Sequence, residues 1–340
     1  MTLSSKRRRQ NLVNVAKIVT SSILLFWLLH RIGVDNILRQ LRSADWPWIA
    51  VAVLVFAVSN VLGAMQWFLI LRSQKVDLSF LHVLSYYHVG LFFNNFLIGY
   101  VGGDALRIYD VRRHSGDSTV AVSSVMFDRF VGFFVLTSIA MFVSFFGIQQ
   151  LTSFKTVYLI GAILLIWASA FIVLFHEKTG LAVGRIFKPL LPNMLRQKVH
   201  GIYVAINKFR HHRLMLTEIL GISILVQALR IITHYFAALS VGVHANVVYF
   251  FMFIPLVALF ASLPISFGGI GVREQSGVTL FSTVGLVASK VVTFEFLAYI
   301  IGIVATIPGG ILFALRRENN VKMSRTIRQA SMQNGGASDV

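Results

Sequence analysis

No cysteine occurs in the 340 residues, which excludes disulfides, thiolate nucleophiles and Cys-ligated metals. Charge is also scarce: 13% of residues are Asp, Glu, Lys or Arg, against about 25% in a soluble domain. Acids are the scarcest part, 13 against 31 basic residues. The chain has no Asn-x-Ser/Thr acceptor, P-loop, G-x-S-x-G, H-E-x-x-H or D-x-D, and therefore none of the common catalytic signatures. What it has is apolar surface, with 56% hydrophobic residues and 29 phenylalanines. So long a chain with so little polar surface belongs in a membrane. The formal net charge of +18 would point to nucleic acid in a soluble protein. In a membrane protein it marks cytoplasmic loops, and no nucleic-acid partner is expected.

A spanning helix takes about 20 mostly apolar residues. Clear runs occur at Val13 to Leu29, Trp48 to Leu71, Val120 to Phe146, Phe154 to Phe175, Leu214 to Leu239 and Val291 to Leu315. The first follows Lys6-Arg7-Arg8-Arg9 but lacks a small-residue cleavage site, so it reads as a retained anchor with its N-terminus inside. Two more stretches are broken. Phe80 to Val101 runs into Gly102-Gly103-Asp104, and Val248 to Ala288 is interrupted by Pro264 and Gly268-Gly269-Ile270-Gly271.

Basic loops decide how the broken stretches lie. A full crossing by Phe80 to Val101 would put Arg112, Arg113 and the basic segment Glu177 to Arg213 outside, against the positive-inside rule. If the stretch enters from the cytoplasm and turns back, these segments and the tail from Arg316-Arg317 lie inside. The second broken stretch must then enter and return on the outer side, so the two hairpins oppose each other. Both carry Gly-Gly, three residues, Arg: Gly102-Gly103 with Arg107, and Gly268-Gly269 with Arg273. The expected fold is an all-α polytopic membrane protein, with six spanning helices and two opposed re-entrant hairpins in an inverted-repeat arrangement. Residues 1–317 form one transmembrane domain, including the basic cytoplasmic loop 176–213. Residues 318–340 form a polar tail expected to be disordered. Between Pro192 and Arg213, apolar residues from Leu195 to Phe209 recur at helical spacing among basic ones. That pattern predicts a surface helix that either anchors the loop or collects lipid headgroups. His211-His212 reads as part of a solvated basic loop.

Ionisable residues at membrane depth need a cavity or a partner. Asp104 and Arg107 stand three apart and can face each other, either toward a substrate or as a structural pair. Asp128 and Arg129 are adjacent on one helix and point apart, so each needs another partner; for Arg129 that is Asp104 or a ligand phosphate. Gln227, Arg230 and His234 share a helix face. Arg273 and Glu274 follow the second glycine group, where a helix starting near Gly271 directs free N–H groups inward as an anion site; the alternative is that the glycines only allow close helix contact. Glu295 reads as a buried, satisfied carboxyl. The deep cations are all Arg, which holds phosphate bidentately and stays charged when buried.

The stretch Leu263-Pro264-Ile265-Ser266-Phe267-Gly268-Gly269-Ile270-Gly271-Val272-Arg273-Glu274 resembles the signature of the lysylphosphatidylglycerol synthase/flippase transmembrane-region family. Gly102-Gly103-Asp104 with Arg107, and Asp128-Arg129, match its other motifs in the same order. The resemblance implies a role in moving lipids or lipid-linked sugars across bacterial or archaeal membranes, and the longest extramembrane stretch leaves no room for a fused synthase domain.

The expectation is therefore a flippase-like transporter rather than an enzyme, without cofactors or metals, in the bacterial inner membrane with both termini cytoplasmic. Arg107, Arg129, Arg230 and Arg273, with Gly102, Gly103, Gly268 and Gly269, are expected to bind substrate. Asp104, Asp128, Glu274 and His234 are expected to couple or gate. The expected partners are membrane lipids, an anionic phospholipid or a polyprenyl-phosphate-linked glycan, and a glycosyltransferase or lipid synthase. The alternative is a non-transporting membrane partner of such an enzyme.

Overall fold

The computed structural model describes residues 42–96, 101–146, 213–263 and 269–335, with a few single positions between them. The expected spans Val13 to Leu29 and Phe154 to Phe175, the loop helix before Arg213, His211-His212 and Gly268 fall outside the described residues in whole or in large part. Every described element is helical: α1 (Trp46–Ser73), α2 (Phe80–Phe96), α3 (Val101–Ser115), α4 (Ser118–Phe146), α5 (Arg213–Ser240), α6 (Val247–Ser262), α7 (Val272–Phe281) and α8 (Ala288–Gly335), with a 3₁₀ turn at Ser282–Val284.

Four of these helices are long and apolar enough to cross a bilayer: α1, α4, Leu214–Ser240 of α5 and Ala288–Leu315 of α8. At 1.5 Å per residue the 28 residues of α1 reach about 42 Å, more than the hydrocarbon core requires. Polarity is inverted relative to a soluble protein. Leu54, Phe142, Phe145 and Ile311 face outward, while Asn60, Gln66, Arg107, Asp128, Glu274 and Glu295 are buried. That is the arrangement of a multi-pass membrane protein whose polar residues face one another rather than lipid.

Both broken stretches are helix pairs. In the first, α2 packs against α3, and Gly103 makes this possible: its N–H donates to Asn94 Oδ1 at 2.9 Å, and a Cβ there would collide with the Gly90 carbonyl. Since the obstacle is backbone, Gly103→Ala must push the helices apart. We expect a cost of about 1–3 kcal/mol, read as a lower thermal midpoint in detergent. In the second, α6 ends at Ser262 and α7 starts at Val272, the chain turning through Gly269 and Gly271 at φ 77° and 82°, values that favour glycine. The rings of Phe250, Phe281 and Phe294 lie 5.1 to 5.6 Å apart and bind α6, α7 and α8 into one core.

One difference from the sequence lies at the C-terminus. Polarity predicts a disordered tail from residue 318, but α8 continues to Gly335. The stretch from Arg316 to Asn334 contains neither glycine nor proline, so nothing in it breaks the helix before Gly335.

Candidate functional site

The bundle encloses a cavity of about 230 Å³ lined from α1, α2, α3, α4, α5, α6, α7 and α8. Its wall carries Arg107, Arg129, Arg230 and Arg273 together with Asp128, Gln227 and His234. All four arginines selected from sequence thus meet in one space. Phe56, Leu136, Val257 and Ala298 supply its apolar part.

On one side of the cavity the charges are locked in a chain. Arg107 is 2% exposed and donates from its NH2 nitrogen to Asp128 Oδ2 at 2.7 Å, while NH1 reaches Asp104 Oδ1 at 3.4 Å. Its guanidinium lies over the rings of Trp67 and Tyr87, 4.1 and 4.7 Å from their centroids. Asp128 also accepts from Gln66 Nε2 at 2.8 Å. Arg129 grips Asp104 bidentately, Nε to Oδ2 at 2.8 Å and NH2 to Oδ1 at 3.0 Å. The local pair expected from the i, i+3 spacing is therefore the longest contact of the chain. The shorter bonds cross from α3 to α4, and Arg129 takes Asp104, one of the two partners the sequence offers.

Arg230 is different. Its NH2 nitrogen donates to the Tyr87 hydroxyl at 3.3 Å, its Nε is buried without a hydrogen-bond partner, and among the described residues no carboxylate pairs with it. Gly63 gives Tyr87 its place, since a Cβ there would collide with the ring's hydroxyl and stand 2.9 and 3.2 Å from its Cζ and Cε1. A half-buried cation facing a cavity without a paired carboxylate attracts an anion.

Arg273 also lines the cavity, its guanidinium 5.1 Å from the Tyr299 ring centroid. Gly269 nearby serves packing: a Cβ on it would come within 2.9 Å of the Ala261 Cβ. Neither Gly102, Gly103 nor Gly269 is part of the cavity wall. Glu274 also lies off that wall; it is 1% exposed and accepts the Gly271 N–H at 2.6 Å. The helix start expected to receive an external anion is thus occupied by its own carboxylate, which satisfies an N–H the turn would otherwise leave open. His234 Nδ1 stands 3.3 Å from Glu295 Oε2, joining α5 to α8. Sequence reasoning missed the roles of Gln66 and Tyr87; the only signal for Gln66 was a polar residue within an apolar run. Among the described residues no group of three His, Asp or Glu could hold a metal.

The lysylphosphatidylglycerol synthase transmembrane region matches residues 14–310. A UPF0104 membrane protein of Pyrococcus horikoshii is 25% identical over 333 residues, covering 89% of this chain and 96% of its own length. Two UPF0104 membrane proteins of Methanothermobacter thermautotrophicus are each 23% identical, covering 79% and 88% of this chain and 85% and 92% of their own lengths.

Proposed function

The chain belongs to the lysylphosphatidylglycerol synthase transmembrane-region family, and from that premise we propose that it moves a phosphate-bearing lipid or lipid-linked sugar across its membrane. The headgroup passes through the four-arginine cavity while the tails remain in the bilayer. Arg230 carries this reading: it is a cavity cation with no carboxylate partner among the described residues, and guanidinium suits phosphate oxygens. Arg273 and Arg129 flank the headgroup, and the locked Arg107 holds the wall in shape. The cargo leaves chemically unchanged, so the protein acts as a transporter and not as an enzyme.

In this proposal the four described spans are joined by Val13 to Leu29 and Phe154 to Phe175, giving six, with both termini on the cytoplasmic side of a bacterial inner membrane. The α2–α3 and α6–α7 pairs are opposed re-entrant hairpins of an inverted repeat. Two features support this: the shared Gly-Gly-x-x-x-Arg spacing, and the entry of both motif arginines into one cavity, each over aromatic rings. Alternating access then comes from one repeat rocking against the other.

The test is reconstitution with fluorescent phosphatidylglycerol and a fluorescent polyprenyl phosphate, scored by accessibility to a membrane-impermeant quencher. The wild type should speed translocation of at least one probe over protein-free vesicles. Gly132→Leu should bring the rate close to the protein-free value. Gly132 lines the cavity, and its new side chain meets first the movable Gln227 amide at 3.2 Å, so it fills the passage without forcing backbone apart. No acceleration of either probe by the wild type contradicts transport and favours a partner role beside a separate enzyme.

A further inference from the structure

Four carboxylates sit deep among the described helices, and three are committed. Asp104 and Asp128 face arginines at 2.7 to 3.0 Å, so neutralising either strands a buried guanidinium. Glu274 holds the Gly271 N–H. Glu295 alone, 0% exposed, accepts no hydrogen bond at either oxygen among the described residues. Its charged or titratable neighbours are His234, whose Nδ1 stands at 3.3 Å and likewise makes no hydrogen bond among the described residues, and the like-charged Glu274. Imidazole is the side chain whose ordinary titration falls near neutral pH, and His234 also lines the cavity.

We propose that the Glu295–His234 pair is a proton-binding site that couples movement of the anionic headgroup to a proton, the two travelling together. This rests on the transport reading above. His234 takes a proton from the cavity and passes it from Nδ1 to Glu295 Oε2, converting carboxylate to neutral acid. The reverse transfer releases it when the cavity opens to the other side. Only N–H and O–H bonds change.

The coupling follows from charge balance with Arg230, one helical turn before His234 on the same face. With phosphate bound, the cargo offsets Arg230 and Glu295 can be neutral. With the cavity empty, ionised Glu295 supplies the compensating charge. Other groups near the pair are occupied or distant. On α7, Glu274 is bound to Gly271 and acts on Glu295 as a like charge, which favours the neutral acid there, and Arg273 lies over Tyr299. On α8, Lys290 donates to the Gly242 carbonyl at 2.9 Å. The α6 helix carries Tyr249, which stacks on Phe253, and α1 carries Arg72 in its last turn.

Two measurements on the full-length protein test this. Infrared difference spectra of purified protein between acid and alkaline pH should show a protonated-carboxyl band that Glu295→Gln removes and His234→Gln shifts in pH. A band unchanged in Glu295→Gln protein that keeps its wild-type unfolding midpoint overturns the site. In proteoliposomes, fluorescent phosphatidylglycerol or polyprenyl phosphate should cross from the acidic to the alkaline face severalfold faster than in the reverse direction. The Glu295→Gln variant should bring that ratio to unity. Wild-type translocation indifferent to the gradient overturns the coupling and leaves transport standing; a titrating Glu295 in a protein that moves neither probe overturns the coupling together with the transport reading.

Discussion

Arg107→Ala should be the most damaging single substitution among the residues lining the cavity, costing roughly 3–5 kcal/mol, the usual effect of removing one partner of a buried ion pair. The guanidinium is 2% exposed and faces both Asp128 and Asp104. Without it Asp104 retains Arg129, but Asp128 keeps a single neutral donor, Gln66. A buried carboxylate is then left without a direct ion pair, and the packing of Trp67 and Tyr87 over the guanidinium is lost as well. The expected readout is a large fall in folded yield and in the thermal midpoint in detergent. Adding Asp128→Asn should recover part of the loss, because it removes the stranded charge. No recovery would mean that packing, and not charge, dominates at this position.

Arg230→Gln should behave in the opposite manner. With no paired carboxylate to strand, the change leaves only the Tyr87 hydroxyl contact to adjust, so the thermal midpoint should stay near that of the wild type. Transport should fall. A charge-assisted hydrogen bond contributes about 1.5–3 kcal/mol, which corresponds to roughly 10- to 100-fold in affinity for a phosphate-bearing headgroup. Arg230→Lys should recover only part of this, since an ammonium cannot reproduce the bidentate fork. Concentration dependence of translocation in proteoliposomes separates the cases: a weaker half-saturation for Arg230→Gln fits a binding role, and an unchanged one does not. Arg107 and Arg230 thus contrast as the fixed and the available charge of one cavity.

The long helices were legible in the sequence because uninterrupted hydrophobic length is a strong signal. The run Trp48 to Leu71 falls within α1, and Val291 to Leu315 within α8. The break before α7 was legible too, since the turn there uses glycines at positive φ; Gly102 and Gly103, expected to interrupt the first stretch, lie inside α3 instead. The continuation of α8 was not, because polar composition argues against burial and says little about helix formation in a stretch free of glycine and proline.

At the site, the sequence identified the four arginines but not how they are balanced. Spacing of three suggested Asp104 for Arg107. Packing of α3 on α4 instead brings Asp128 closer, a contact between residues 21 apart that local periodicity does not encode. The anion site expected before α7 is filled by Glu274 from within the same turn, and two of the glycines assigned to substrate, Gly103 and Gly269, pack against the Gly90 backbone and Ala261. Glu295 gave little signal in an apolar run. Its meaning depends on the contact with His234 across two helices.

The central claim is that this cavity holds a phosphate-bearing headgroup through Arg230. It is tested most directly by mass spectrometry of the lipids that copurify with wild-type and Arg230→Gln protein. The account predicts a phosphate-bearing lipid retained in stoichiometric amount by the wild type and largely lost from the variant, with both proteins equally folded. The same lipids in equal amounts on both proteins would contradict it.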